Sequence, residues 1–100
     1  MEHQVLLFYK YVTILDPEAL KAWVADRAKA LGLTGRVLIA EEGINGTLEG
    51  TLEHTQLFAR ELLQDARFGD MQIKTSVGTG ASFSKLSVKV RSEIVGTRFD

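Results

Sequence analysis

One hundred residues with 45% hydrophobic and 25% charged side chains bound a single soluble domain with one modest core. A net charge of -1 provides no global attraction to nucleic acid or anionic membrane, and no apolar run is long enough to span a bilayer. The absence of cysteine excludes disulfides, thiolate metal sites and a thiol nucleophile within the chain.

The first element expected is a strand, Val5 to Val12, rich in β-branched and aromatic residues. Asp16-Pro17-Glu18 then announces a helix: Asp16 as N-cap, Pro17 in the first turn, and Glu18 beside the positive end of the dipole. Leu20, Trp23, Val24, Arg27, Ala28 and Leu31 follow its 3.6-residue period, and Gly32 or Gly35 stops it. Arg36 to Glu42 is the second strand. Gly43, Asn45 and Gly46 suit a tight turn, so Thr47 to Gly50 is expected to return as a short third strand.

Thr51 is the expected N-cap of a second helix running to about Ala66, with Phe58, Leu62 and Leu63 on its buried side. Gly69-Asp70 breaks it. Met71 to Val77 is a fourth strand, 78–82 is a loop, and Leu86 to Val90 is a fifth strand or an extension of the fourth element. There Leu86, Val88 and Val90 alternate with Ser87, Lys89 and Arg91. The segment from Glu93 onward has no clear pattern. The order βαββαβ with an extra strand is the α+β, split-βαβ, ferredoxin-like arrangement: an antiparallel sheet with two helices on one face and the other face open.

Charge is uneven along the chain. Residues 1–70 carry seven Lys/Arg against eleven Asp/Glu, and residues 71–100 carry five against two. Lys89 and Arg91 share a strand face with Lys85 close by, and Lys10 and Lys74 join them if their strands turn the same way. Such a stripe neutralises phosphates; a solvated, aggregation-resistant strand edge is the competing account. Phe8, Tyr9 and Tyr11 lie on the first strand, but Thr47 to Gly50 has no aromatic, so a two-strand base-stacking platform is not expected. Trp23, Phe58, Phe68 and Phe83 are assigned to the core.

Conventional catalysis finds little support. Glu41 and Glu42 are adjacent and diverge on a strand, which makes them solvated charges rather than an acid–base pair. His3 is expected in a fraying terminus and His54 in the first turn of a helix, without a second histidine at ligand spacing; no metal or cofactor is expected. No Walker loop or Gly-x-Gly-x-x-Gly is present.

The segments 6–12 (LLFYKYV), 31–50 (LGLTGRVLIAEEGINGTLEG), 65–68 (DARF) and 83–95 (FSKLSVKVRSEIV) resemble the N-terminal acylphosphatase-like domain of bacterial rhodanese-type tRNA uridine hydroxylases, the UPF0176 family. The resemblance spans nearly the whole chain. It implies an acylphosphatase-like fold, a cytoplasmic protein without membrane attachment, and tRNA and a following rhodanese domain as partners. In that family a rhodanese cysteine is needed to convert the wobble uridine to 5-hydroxyuridine. The rhodanese domain is absent from residues 1–100 and no cysteine is present, so no catalytic residue is assigned here and the domain is expected to be accessory. The candidate phosphate contacts are Arg36, Lys85, Lys89 and Arg91, with Lys10 as a fifth. The alternatives are a module that packs on the rhodanese domain without touching RNA and, third, a true acylphosphatase. The last is disfavoured because Thr13 to Asp16 holds neither glycine nor arginine and the second strand holds no asparagine.

Overall fold

The computed structural model describes residues 2–94. Its elements are β1 (His3–Tyr11), α1 (Pro17–Ala30), β2 (Thr34–Ala40), β3 (Gly43–Thr51), α2 (Leu52–Leu63), a 3-10 turn (Ala66–Phe68), β4 (Ile73–Gly78) and β5 (Leu86–Val90). They form one five-stranded sheet in the order β4-β1-β3-β2-β5. All pairings are antiparallel except β2 with β5, which is parallel. Both helices cover the same sheet face, so the expected α+β sandwich is the observed one, with a mixed rather than wholly antiparallel sheet.

Strand alternation decides what enters the core. Leu6 and Phe8 of β1, Val37 and Ile39 of β2, and Ile44 and Leu48 of β3 point at the helices and are almost fully buried. Leu20, Val24 and Ala28 of α1 and Phe58 and Leu62 of α2 meet them. Leu86, Val88 and Val90 seal the β5 edge. Burying each large apolar side chain contributes about 1.5–3 kcal/mol.

The helix ends follow from local chemistry. Gly32 adopts φ 70°, its N–H donates to the Lys29 carbonyl at 3.1 Å, and the Leu33 N–H donates to the Ala28 carbonyl at 2.8 Å. That pair of bonds is a Schellman stop. Thr51 caps α2 as expected, its side chain accepting from the His54 N–H at 3.2 Å. Asp16 does not cap α1. Its carboxylate instead accepts from Arg67 Nη1 at 2.7 Å, because that cation offers more than an orphan amide can. The second helix stops at Leu63 rather than Ala66, since Asp65 accepts from the Arg67 N–H at 2.9 Å and caps the separate 3-10 turn.

The hairpin differs most from expectation. The turn is Glu41–Glu42, and Gly43, Asn45 and Gly46 lie inside β3. The glycines serve close packing rather than chain reversal. A Cβ on Gly46 would lie 2.4 Å from the Phe8 ring, which covers that glycine from the opposing register position. His3 is held in the ladder opposite Thr51 and Gly78 instead of fraying. Phe58 and Phe68 are core residues, whereas Phe83 is half-buried and Trp23 stays 37% exposed at the rim, its ring centroid 6.0 Å from that of Phe58.

Candidate nucleic-acid interface

The face away from the helices is built by the other strand parity. Rows cross it by register: Lys74, Leu7, Thr47, Arg36 and Ser87 stand side by side on the five strands. One row on, Tyr9 faces Asn45, Asn45 faces Leu38, and Leu38 faces Lys89. Arg36 and Lys89 are therefore diagonal neighbours on adjacent strands, close enough for one ligand to meet both. Both are exposed.

Lys85 and Arg91 flank β5 and continue the parity of Ser87 and Lys89 just outside the ladder. The Lys85 carbonyl accepts from the Gly35 N–H at 2.9 Å, and the Arg91 N–H donates to the Ile39 carbonyl at 2.8 Å. The Arg91 guanidinium touches only the Val90 carbonyl among the described residues, at 3.1 Å. Arg36, Lys85, Lys89 and Arg91 thus gather along the β2–β5 side.

Lys10 does not join them. It pairs with Ile44 in register, so its side chain leaves on the helix side of the sheet. There its ammonium donates to the Arg67 carbonyl at 2.7 Å and forms an ion pair with Asp70. Asp70 is held below the usual carboxylate range by that ammonium. Lys74 sits on the open face in Lys10's stead, one strand over from Leu7. Parity, which sequence alone leaves undetermined for two strands of unknown register, separates the two lysines.

Two acids, Glu49 and Glu42, are engaged at the ends of this surface, while Glu93, two residues beyond Arg91, is exposed. Glu49, opposite Val5 and Thr34, is only 2% exposed because the 79–82 loop folds over it. The Gly80 N–H donates to Oε2 at 2.9 Å, the Ser82 N–H to Oε1 at 2.9 Å, and the Ser82 hydroxyl to Oε2 at 3.1 Å. The Gly80 amide chiefly holds this carboxyl below its ordinary value, against the opposing effect of burial. At the other end Glu42 accepts from the Ile94 N–H at 3.0 Å, while Asn45 Nδ2 donates to the Ile94 carbonyl at 2.9 Å. Ile94, in the segment without clear sequence pattern, is completely buried against this end of the face. Nothing short of the fold could reveal either contact; the partners lie 31 to 52 residues apart.

Between those ends lie two shallow hollows that share Asn45, Gly46 and Thr47 as floor. One is walled by Leu7, Tyr9 and Lys74, the other by Arg36, Leu38 and Phe83. A further cleft runs between α1 and α2, but ion pairs close across it: Arg27 with Glu61, at 2.8 and 3.1 Å, and Arg67 with Asp16 and Asp65. Among the described residues no group of three or more His, Asp or Glu side chains is arranged to hold a metal ion, and no helix is long and apolar enough to cross a membrane.

Comparison with known proteins places this architecture. The UPF0176 acylphosphatase like domain matches residues 3–94. The chain belongs to that family. Across 99 residues it is 46% identical to a protein of Bacillus velezensis named tRNA uridine(34) hydroxylase, and across 100 residues 44% identical to one so named from Enterococcus faecalis. These alignments take in 99% and 100% of the chain but 31% and 32% of the relatives, so this UPF0176 domain spans about a third of their length. In solved structures the same fold occurs in the acylphosphatase from Bacillus subtilis (TM-score 0.62, 16% identity, 88% of this chain and 98% of that one). It occurs also in the BLUF protein BlrB (TM-score 0.74, 21% identity, 94% of this chain and 76% of that one). At such identities the likeness is one of fold alone.

Proposed function

We propose that this UPF0176 domain is a non-catalytic accessory domain of a tRNA wobble-uridine hydroxylase, binding or orienting tRNA for a following cysteine-bearing rhodanese domain. The observation that carries this is the gathering of Arg36, Lys85, Lys89 and Arg91 along one margin of the open sheet face, with Glu49 and Glu42 at its ends tied into backbone amides. Cations grouped this way neutralise successive phosphates and release counterions. The relatives' printed name supplies the substrate class. The β1–α1 connection holds no glycine or arginine with which to cradle a phosphate, which sets the domain apart from acylphosphatase chemistry.

Titration of the chain with tRNA at rising salt tests this. Affinity falls linearly on a log–log plot, and replacing Arg36 and Lys89 together by Glu abolishes binding. Absence of binding at the lowest salt removes the RNA role. In that case the second account applies: a module packed on its rhodanese neighbour, favoured by the complete burial of Ile94 against the open face, which brings the chain back over that surface.

A further inference from the structure

Leu7, Tyr9 and Tyr11 follow one another at alternate positions of β1 on the open face, and remain 44%, 62% and 57% exposed. β1 pairs with β3 along its whole length but with β4 only as far as Phe8, so Leu7 lies within the sheet while Tyr9 and Tyr11 extend the stripe past the end of β4. Exposed apolar stripes rimmed by polar groups mark binding surfaces. Here the rim is cationic on both sides: Lys74 stands beside Leu7 on β4, and Arg36 stands beyond Thr47 on β2. Three strand spacings separate those two cations, about 14 Å. The tyrosine rings meet edge to face, with centroids 6.1 Å apart and planes at 88°. A planar ligand therefore lies on one ring instead of sliding between two.

Aromatic faces at the centre and cations at both margins match the chemistry of an unpaired nucleic-acid strand, which offers bases to stack and phosphates to neutralise. A duplex hides its base faces. β3 adds no aromatic: Asn45 and Thr47 occupy the equivalent positions, the latter beside Leu7 and the former, beside Tyr9, already bonded to Ile94, and the other ring on this face is the half-buried Phe83 beside Arg36.

We propose that the open face binds an unpaired RNA strand, stacking one base on Tyr9 and holding the flanking phosphates with Lys74 and Arg36. The proposal rests on the tRNA-binding function above and adds to it the face, the strandedness and the stacking residue.

The test titrates the chain with a fluorescein-labelled RNA hairpin carrying an unpaired loop, and with a blunt duplex of the same stem. The wild-type chain binds the hairpin more tightly than the duplex. Tyr9→Ala and Tyr9→Leu each weaken hairpin binding by about 5- to 150-fold at fixed salt, the range of a lost base–aromatic stack. Tyr9→Phe keeps the ring and the affinity, and Arg60→Glu on exposed α2 surface changes neither. The leucine variant preserves bulk, so circular dichroism melting separates lost stacking from lost folding. Equal binding of hairpin and duplex, or full affinity in both Tyr9→Ala and Tyr9→Leu, overturns the stacking proposal while leaving tRNA binding standing. Failure of the wild-type chain to bind either RNA at the lowest salt overturns both, and points to a protein covering this face.

Discussion

Glu49 and Ser82 are joined twice: the Ser82 N–H donates to one carboxylate oxygen at 2.9 Å and its hydroxyl to the other at 3.1 Å. With the Gly80 N–H on the same carboxylate, one side chain from mid-sheet anchors the whole β4–β5 connection. Glu49→Ala should therefore free residues 79–82 and lower stability by about 1.5–3 kcal/mol, the worth of hydrogen bonds to a charged group. Hydrogen exchange at the Gly80 and Ser82 amides checks it: their protection collapses while that of β1 and β3 persists.

Acid should act through the same carboxyl. Glu49 and Asp65 are both held below their ordinary values of 4.5 and 3.8, Glu49 by the Gly80 amide and Asp65 by the Arg67 side chain. The folded state then binds protons less readily than the unfolded chain. Stabilisation from these groups is complete above those ordinary values and is lost as pH falls through the lower folded ones. Thermal melts between pH 7 and pH 2.5 should show an acid limb of falling Tm. Glu49→Gln should shallow that limb while lowering Tm at pH 7.

Two glycines with positive φ should respond differently to alanine. Around Gly32, at φ 70°, a Cβ meets nothing within 4 Å, so Gly32→Ala costs only the left-handed backbone penalty of about 1–2 kcal/mol. At Gly35, φ 132°, the new Cβ would sit 2.1 Å from the Thr47 carbonyl oxygen on the neighbouring strand. Backbone cannot yield there, and Gly35→Ala should cost about 2–5 kcal/mol by strain and overpacking together. Urea unfolding of the pair measures the contrast.

Lysine parity makes a further separable outcome. Lys74→Gln should leave stability nearly unchanged and reduce the salt slope of RNA binding by about 0.7, one phosphate on a single strand. Lys10→Gln should do the reverse. It gives up the Arg67 carbonyl and Asp70 contacts on the helix side, lowering Tm without altering the slope.

What the sequence makes legible here is whatever local chemistry decides. The glycine stop of α1, expected at Gly32 or Gly35 and found at Gly32, the Thr51 cap and the Leu86-Val88-Val90 alternation each act within a few residues. The hairpin turns at Glu41–Glu42, ahead of the glycines, because glycine has two uses. Gly43 and Gly46 suit a turn, yet here they let β3 approach β1 and receive the Phe8 ring. The charged dipeptide Glu41-Glu42, read as strand end, makes the turn instead. Of the site, the β5 cations were legible through their own alternation. Lys10 and Lys74 were not, since their faces depend on how β1 registers against β3 and β4. The burial of Glu49 and Ile94 depends on contacts more than thirty residues distant, for which no local pattern exists.

Phe8 and Tyr9 are consecutive, one sealed beneath the helices and the other bare to solvent. Slipping β1 by a single residue would exchange them, throwing the ring that packs on Gly46 outward and driving a phenol into an apolar interior. The hydrophobic interior thereby acts as a lock on the outer surface: any variant that keeps its centre intact also keeps its tyrosines and cations aimed the same way. Damage should then sort by odd and even positions along this strand, with even ones melting the protein and odd ones silencing it while it stays folded.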